Sequence, residues 1–145
     1  MFIVNTEAVI LRDGKYLIIK RSEKEEHAGG ELSLVEGEVE AGEDSAGVLE
    51  NSIIRKVKED VGLSVVGKPR YIQSIKFVTD TGVHVVHISF LCEEVEGEAY
   101  AANADKVDGV YWMTPEDLYE HAKAADYLKD SVERAEALRN EGISG

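Results

Sequence analysis

Cysteine is nearly absent from this chain: Cys92 stands alone among 145 residues. A single thiol excludes an internal disulfide and fits a reducing compartment, so the cytoplasm is the expected location. Long apolar runs are missing too. No stretch approaches the ~20 residues that span a bilayer. The opening Met1-Phe2-Ile3-Val4 has no basic region before it, so no secretory signal is expected. Basic charge is also scarce, with 16 Lys and Arg against 29 Asp and Glu and a formal net charge of -13. A field of that sign repels nucleic-acid backbones and anionic membranes, so neither is expected as a partner. It repels nucleotide phosphates as well, unless a bound cation or local basic residues reverse it. What is present is globular: 43% hydrophobic and 31% charged residues in a length that suits one domain with its own core.

Residues 3–11 and 15–20 are apolar, β-branched runs divided by Asp13-Gly14, a strong hairpin signal. Residues 22–31 read as a polar surface loop, and Leu32 to Val35 as a short strand entering a glycine turn. Leu49, Ile53, Val57 and Val61 recur at four-residue steps, which predicts one apolar helix stripe with Gly62 as its terminator. Gly47 disfavours helix before Val48. Strands are predicted at 65–66, 71–78 and 110–113, and at 83–91 in a buried central position. Residues 93–109 read as an acidic loop. Thr114-Pro115-Glu116-Asp117 is a helix start, and the region to residue 140 is helical, in two pieces broken near Asp126. Glu141–Gly145 is expected to fray. This mixture of strands with one central and one terminal helical region is an α/β fold in a single domain.

The chemistry concentrates in residues 37–63. A glycine turn rich in carboxylates runs into one helix that ends on Glu59-Asp60, closed by Gly62. Adjacent hard oxygen ligands beside a loop carboxylate suit Mg²⁺ or Mn²⁺ held against a phosphate. On a wheel of about 100° per residue, Asp60 lies about 100° from Glu59 and Lys56 about 60°, between the two acids. The Lys56 ammonium can pair with Asp60 at i,i+4 and compete with a cation there.

This segment resembles the signature of the Nudix (MutT-like) hydrolases: Gly, five residues, Glu, seven residues, then Arg-Glu-apolar-x-Glu-Glu-x-Gly-apolar. Gly37 and Glu43 match its front, and Arg55-Lys56-Val57-Lys58-Glu59-Asp60-Val61-Gly62-Leu63 its end. Leu32–Glu43 is similar to the family's strand-to-turn entry. Val110–Leu118 is similar to its strand followed by Pro-Glu-Glu-Leu, so the likeness covers roughly all of residues 1–145. The sequence departs from the signature twice. Eleven residues separate Glu43 from Arg55 where the family has seven, and the glutamate that follows the arginine is Lys56.

The resemblance implies an α/β/α sandwich around a mixed sheet. It implies an enzyme that uses Mg²⁺ or Mn²⁺ to cleave a nucleoside diphosphate linked to another moiety. Glu59 and Asp60 would ligate the metal, with Glu43 and the Gly37 carbonyl as auxiliary ligands. Arg55 would orient Glu59, and Lys56 and Arg21 would meet substrate phosphate. The general base is unassigned, with Glu93, Glu94, Glu96, Glu98, Asp105 and Asp108 as its sources. Lysine at the position of the principal catalytic glutamate implies weak or atypical turnover. The alternative is a catalytically silent nucleotide-binding or regulatory module.

Other residues have plainer readings. Glu36, Glu38 and Glu40 read as surface charges of the turn. His84 and His87, three apart on a strand, face opposite sides and cannot share one metal; each reads as structural. Cys92 lacks an adjacent base. Tyr71, Phe77 and Trp112 read as core aromatics that a base could otherwise stack on. The alanine-rich C-terminal region offers a face for a homodimer. Lys56→Glu is expected to strengthen Mn²⁺ binding in a metal titration; unchanged affinity would mean that Glu59 and Asp60 form no site.

Overall fold

The computed structural model describes residues 1–25, 28–42 and 45–141. Among them run β1 (Phe2–Arg12), β2 (Lys15–Arg21), β3 (Leu32–Ser33), β4 (Val35–Glu38), α1 (Val48–Val61), β5 (Ser64–Val65), β6 (Arg70–Val78), β7 (His84–Cys92), β8 (Val95–Glu96), β9 (Val107–Met113), α2 (Pro115–Glu120) and α3 (Asp126–Glu141). The Asp13-Gly14 hairpin forms as its sequence dictates, both residues at positive φ (51° and 75°). Residues 93–109 are more ordered than an acidic loop. Val95–Glu96 pairs antiparallel with Ser64–Val65, a two-residue ladder too short to show as a period.

Seven strands form one mixed sheet in which β1 is paired on both edges. Strand β7 runs parallel to it from Phe2↔His84 to Ile10↔Cys92. On the other edge β4 runs antiparallel, Asn5↔Glu38 through Ala8↔Val35, and the hairpin end meets β2 at Leu11↔Tyr16. Strand β2 also pairs with β3 and β9. The long branched run of β7 is central, between β1 and β6.

Helices cover both faces, so this is an α/β/α sandwich. On one face Ile53, Val57 and Val61 of α1 pack with Ala8, Ile10, Ile88 and Phe90. Helix α1 begins at Val48 after a left-handed Gly47 and ends on a left-handed Gly62, whose N–H donates to the Lys58 carbonyl. On the opposite face Leu118 of α2 and Leu128, Val132 and Ala135 of α3 pack on Val9, Leu11, Tyr16, Ile18, Leu34 and Leu91. Thr114 caps α2 by accepting the Asp117 N–H at 3.1 Å. Residues 121–125 separate α2 from α3, the break read near Asp126. Residues 142–145 lie outside the described residues.

Leu128 is fully buried between α3 and the sheet. Leu128→Ala is expected to cost ~2–5 kcal/mol, read as a lower urea midpoint at unchanged slope. A loss within ~0.5 kcal/mol would mean that α3 is not anchored there.

Candidate functional site

Alternation along the strands sorts the polar residues between the two helical layers. On the α1 side, Gly37 of β4 stands opposite Thr6 of β1, and its carbonyl accepts the Thr6 hydroxyl at 3.3 Å. The Lys56 stem passes directly over Gly37, where an added Cβ would meet its Cε at 2.6 Å. That is why a glycine is needed here. The Lys56 ammonium ends 3.5 Å from Oδ1 of Asp60, a pair that is largely shielded from solvent. Asn103 also donates to Asp60 Oδ1, at 3.3 Å. Burial outweighs both neighbours and raises the Asp60 carboxyl above the usual carboxylate range.

Glu59 goes elsewhere. Its side chain is about half exposed and meets Arg55 Nη1 at 3.2 Å. Arg55 also reaches Glu40, at 3.6 Å. Successive helical residues diverge by about 100°, so turning Asp60 into the fold turns Glu59 out of it. The helix therefore brings Gly37, Lys56 and Asp60 together, with Arg55 beside them, and does not bring Glu59 to the same place. Glu43 lies outside the described residues.

A cleft of about 490 Å³ opens over this group. Arg21, Lys106, Glu25, Glu36, Glu38 and Glu40 also line it. Arg21 stands 3.6 Å from Glu36 and 3.8 Å from Glu25, which also pairs with Lys106 at 3.1 Å. No local sequence signal marks Lys106 or Glu25, because only folding carries their loops to the cleft. The carboxylates at 93–98 do not line it: Glu93 pairs with Arg70 at 2.8 Å, and Asp105 faces Lys24 at 3.4 Å on the surface.

The carboxylates of α1 do not fit a divalent cation. Of the described carboxylates on α1 only Asp60 lines the cleft, and its nearest charged partner is an ammonium rather than a second acid. A Mg²⁺ site uses one or two carboxylates with water and phosphate filling an octahedron, and a fixed cation 3.5 Å away opposes it.

On the α3 side the structure corrects two readings. Glu36 is not a surface charge of the turn. It lies opposite Glu7 across the β1–β4 ladder, and burial, then the Glu7 carboxylate, raises its carboxyl above the usual range. His87 is not a bystander either. Its Nε2 lies 3.3 Å from Oε2 of Glu7, which is 1% exposed. Burial works against the imidazolium, but Glu7 and Glu36 outweigh it and raise the His87 pKa. Glu7 Oε1 accepts two hydroxyls, Ser89 at 2.8 Å and Ser131 of α3 at 2.9 Å. Arg21 approaches from β2. The Tyr127 hydroxyl of α3 is pushed up to about 12 by burial, then by Glu36 and Glu7. The available signal was a charged residue inside an otherwise apolar strand.

Cys92 is buried, which pushes its thiol up to about 12 and makes it inert. Tyr71 and Phe77, read as core, are exposed on β6, which pairs only with β7 among the described strands. Trp112 is half-buried, with the Arg12 guanidinium 5.7 Å from its ring centroid. Among the described residues no helix is long and apolar enough to cross a membrane.

Comparison with protein families matches residues 1–134 to the NUDIX domain. Among curated proteins none matches the sequence. Solved structures similar to the chain include the MutT NUDIX hydrolase from Burkholderia pseudomallei, at 22% identity and TM-score 0.77, covering 92% of this chain and 98% of that one. The MutT protein from Methanosarcina mazei Go1 gives 23% and 0.78, covering 95% of each. The NUDIX domain of Shewanella oneidensis NrtR, complexed with ADP ribose, gives 19% and 0.70, covering 95% and 88%. At these identities the structural likeness establishes the fold alone.

Glu36, Asp60 and His87 each hold a proton more tightly in the native chain than in the unfolded one. The native state thus binds more protons, and stability falls as pH rises. For the carboxyls the loss begins above their ordinary values of 4.5 and 3.8. The His87 contribution is full below 6.5 and is lost as pH rises through its raised native value. In chelated buffer the urea midpoint is expected to be higher near about pH 5.5 than near about pH 8, and Glu36→Gln should shrink that difference. A midpoint that climbs with pH in both proteins would contradict this.

Proposed function

Because the chain belongs to the NUDIX domain family, we propose that it acts on a nucleoside diphosphate linked to another moiety, hydrolysing the diphosphate slowly in the cleft between α1 and β4. The observation that carries this reading is the meeting of Gly37, Arg55, Lys56 and Arg21 around one cleft in an otherwise strongly acidic chain. Each of these cations is paired with a carboxylate, so a phosphate would meet them by taking the place of Asp60, Glu40 or Glu36 rather than by entering a preformed positive field. Arg55 and Arg21 present planar guanidinium groups suited to paired phosphate oxygens, and Lys56 a compact charge. In this reading water attacks a phosphorus and the residues of the cleft hold the diphosphate in line for it.

Mg²⁺ or Mn²⁺ belongs to the proposal as the cofactor that the family resemblance implies. With Lys56 over Asp60, no step is assigned to a cation on α1. The same pair supports a second reading, a silent nucleotide-binding or regulatory module, because an ammonium serves static phosphate binding better than activation of water. A reducing, cytoplasmic setting suits the lone buried Cys92. A homodimer also remains part of the proposal. Apolar side chains available for one lie on β6, at Tyr71, Ile75, Phe77 and Val78, while Ala124 and Ala135 are buried within the fold.

The test is a phosphate- and nucleotide-release assay over a panel of nucleotide diphosphates that includes ADP-ribose, with Mg²⁺ and with Mn²⁺, paired with calorimetry. Slow release on at least one substrate is expected, and Lys56→Ala should weaken substrate binding by ~1.5–3 kcal/mol, the range for hydrogen bonds to charged groups. Tight binding without release on any substrate would favour the silent module. Neither binding nor release would end both readings.

A further inference from the structure

We propose that Glu7, Glu36 and His87 form a binding site for a divalent transition metal of the Zn²⁺ class, on the α3 side of the sheet and separate from the carboxylates of α1. One donor atom from each of the three lies within 4.8 Å of the others. The three donors come from three different strands, β1, β4 and β7, aligned by the two ladders that flank β1. Donors around one tetrahedral ion at ~2.0–2.2 Å stand ~3.4 Å apart, so a small rotation of one side chain closes the set. Glu36, half-buried and bordering the cleft, is the side chain with room to rotate.

Glu7 supplies the observation that an acidic cluster alone lacks. Its Oε1 is saturated by the hydroxyls of Ser89 and Ser131, but Oε2 is buried with no hydrogen-bond donor. His87 Nε2, 3.3 Å away, is its one charged neighbour among the ion pairs of the described residues. A buried carboxylate oxygen without a donor is costly, and a cation placed between it and the imidazole removes the cost. The Ser pair fixes the carboxylate's orientation, as outer partners of a metal ligand do.

His87 has its own outer partner. Its Nδ1 lies 2.8 Å from the Asn5 side-chain amide. Turned to present Oδ1, Asn5 accepts the Nδ1 proton, so Nε2 is the nitrogen that faces Glu7 and gives up its proton to a metal. Metal binding then displaces protons held by Glu36 and His87, and affinity rises with pH. One imidazole with two carboxylates favours a borderline ion over Mg²⁺, which prefers an octahedron of oxygens. Arg21, 3.6 Å from Glu36 and 3.8 Å from Glu25, would keep its pairing with Glu25 when Glu36 turns inward.

The experiment uses the full chain, stripped with chelator, and follows Co²⁺ by visible absorption and Zn²⁺ by competition against it, with excess Mg²⁺ present. One equivalent is expected. His87→Gln and Glu36→Gln should each weaken affinity by at least ten-fold, and Asn5→Leu by ~10–100-fold as an outer partner, while Asp60→Asn leaves it unchanged. Should His87→Gln unfold, Glu36→Gln, at a half-buried position bordering the cleft, decides alone. Imidazole ¹⁵N spectra should show Nε2 losing its proton on metal addition. A protonated Nε2 at saturating metal, or affinity lost in Asp60→Asn and kept in Glu36→Gln, overturns the proposal, as does failure to take up Co²⁺. None of these outcomes depends on hydrolysis, so the site and the proposed activity can fail separately.

Discussion

Strand β1 is hydrogen-bonded on both edges, and its alternation of side chains decides which chemistry meets which helix. Thr6, Ala8 and Ile10 turn to α1, while Glu7, Val9 and Leu11 turn to α3. Its neighbours in register inherit that choice, so Gly37 falls with Thr6 and Glu36 with Glu7. A slip of one residue would exchange the two sets. The polar atoms would then meet the apolar stripe of α1, and both helical layers would lose their packing.

The α1 face illustrates how one substitution changes the character of a family frame. Lys56 and Asp60 sit one turn apart at 3.5 Å, both little exposed. Such a pair is held by desolvation as much as by attraction, since removing either member strands the other charge. Gly37 accommodates the lysine stem, and Asn103 satisfies part of the carboxylate. The neighbourhood is thus built around the ammonium, which explains why Glu59 is free to pair with Arg55 at the surface.

On the α3 face the electrostatics run the other way. Two carboxylates and an imidazole are packed together with less compensation than they need. Their strain shows as tightened proton binding on Glu36 and His87, and its reach extends to the Tyr127 hydroxyl. Net charge of -13 does not describe either face, because local arrangement sets the field that a ligand meets.

Periodicity and turn chemistry determined most of the fold by themselves. The Asp13-Gly14 hairpin, the four-residue stripe of α1 between Gly47 and Gly62, the Thr114 cap and the interruption before Asp126 are local signals whose residues interact with near neighbours. The same locality made the Arg55–Glu59 and Lys56–Asp60 pairs legible, since both are one helical turn apart. Tertiary structure alone decided the rest. Glu36 read as a turn charge and His87 as structural because their partner Glu7 lies 29 and 80 residues away, and only strand register brings the three together. Register is a long-range choice, made by whichever pairing buries both apolar faces at once. No single stretch of sequence contains that information, so the α1 side of the cleft could be read along the chain and the α3 side could not.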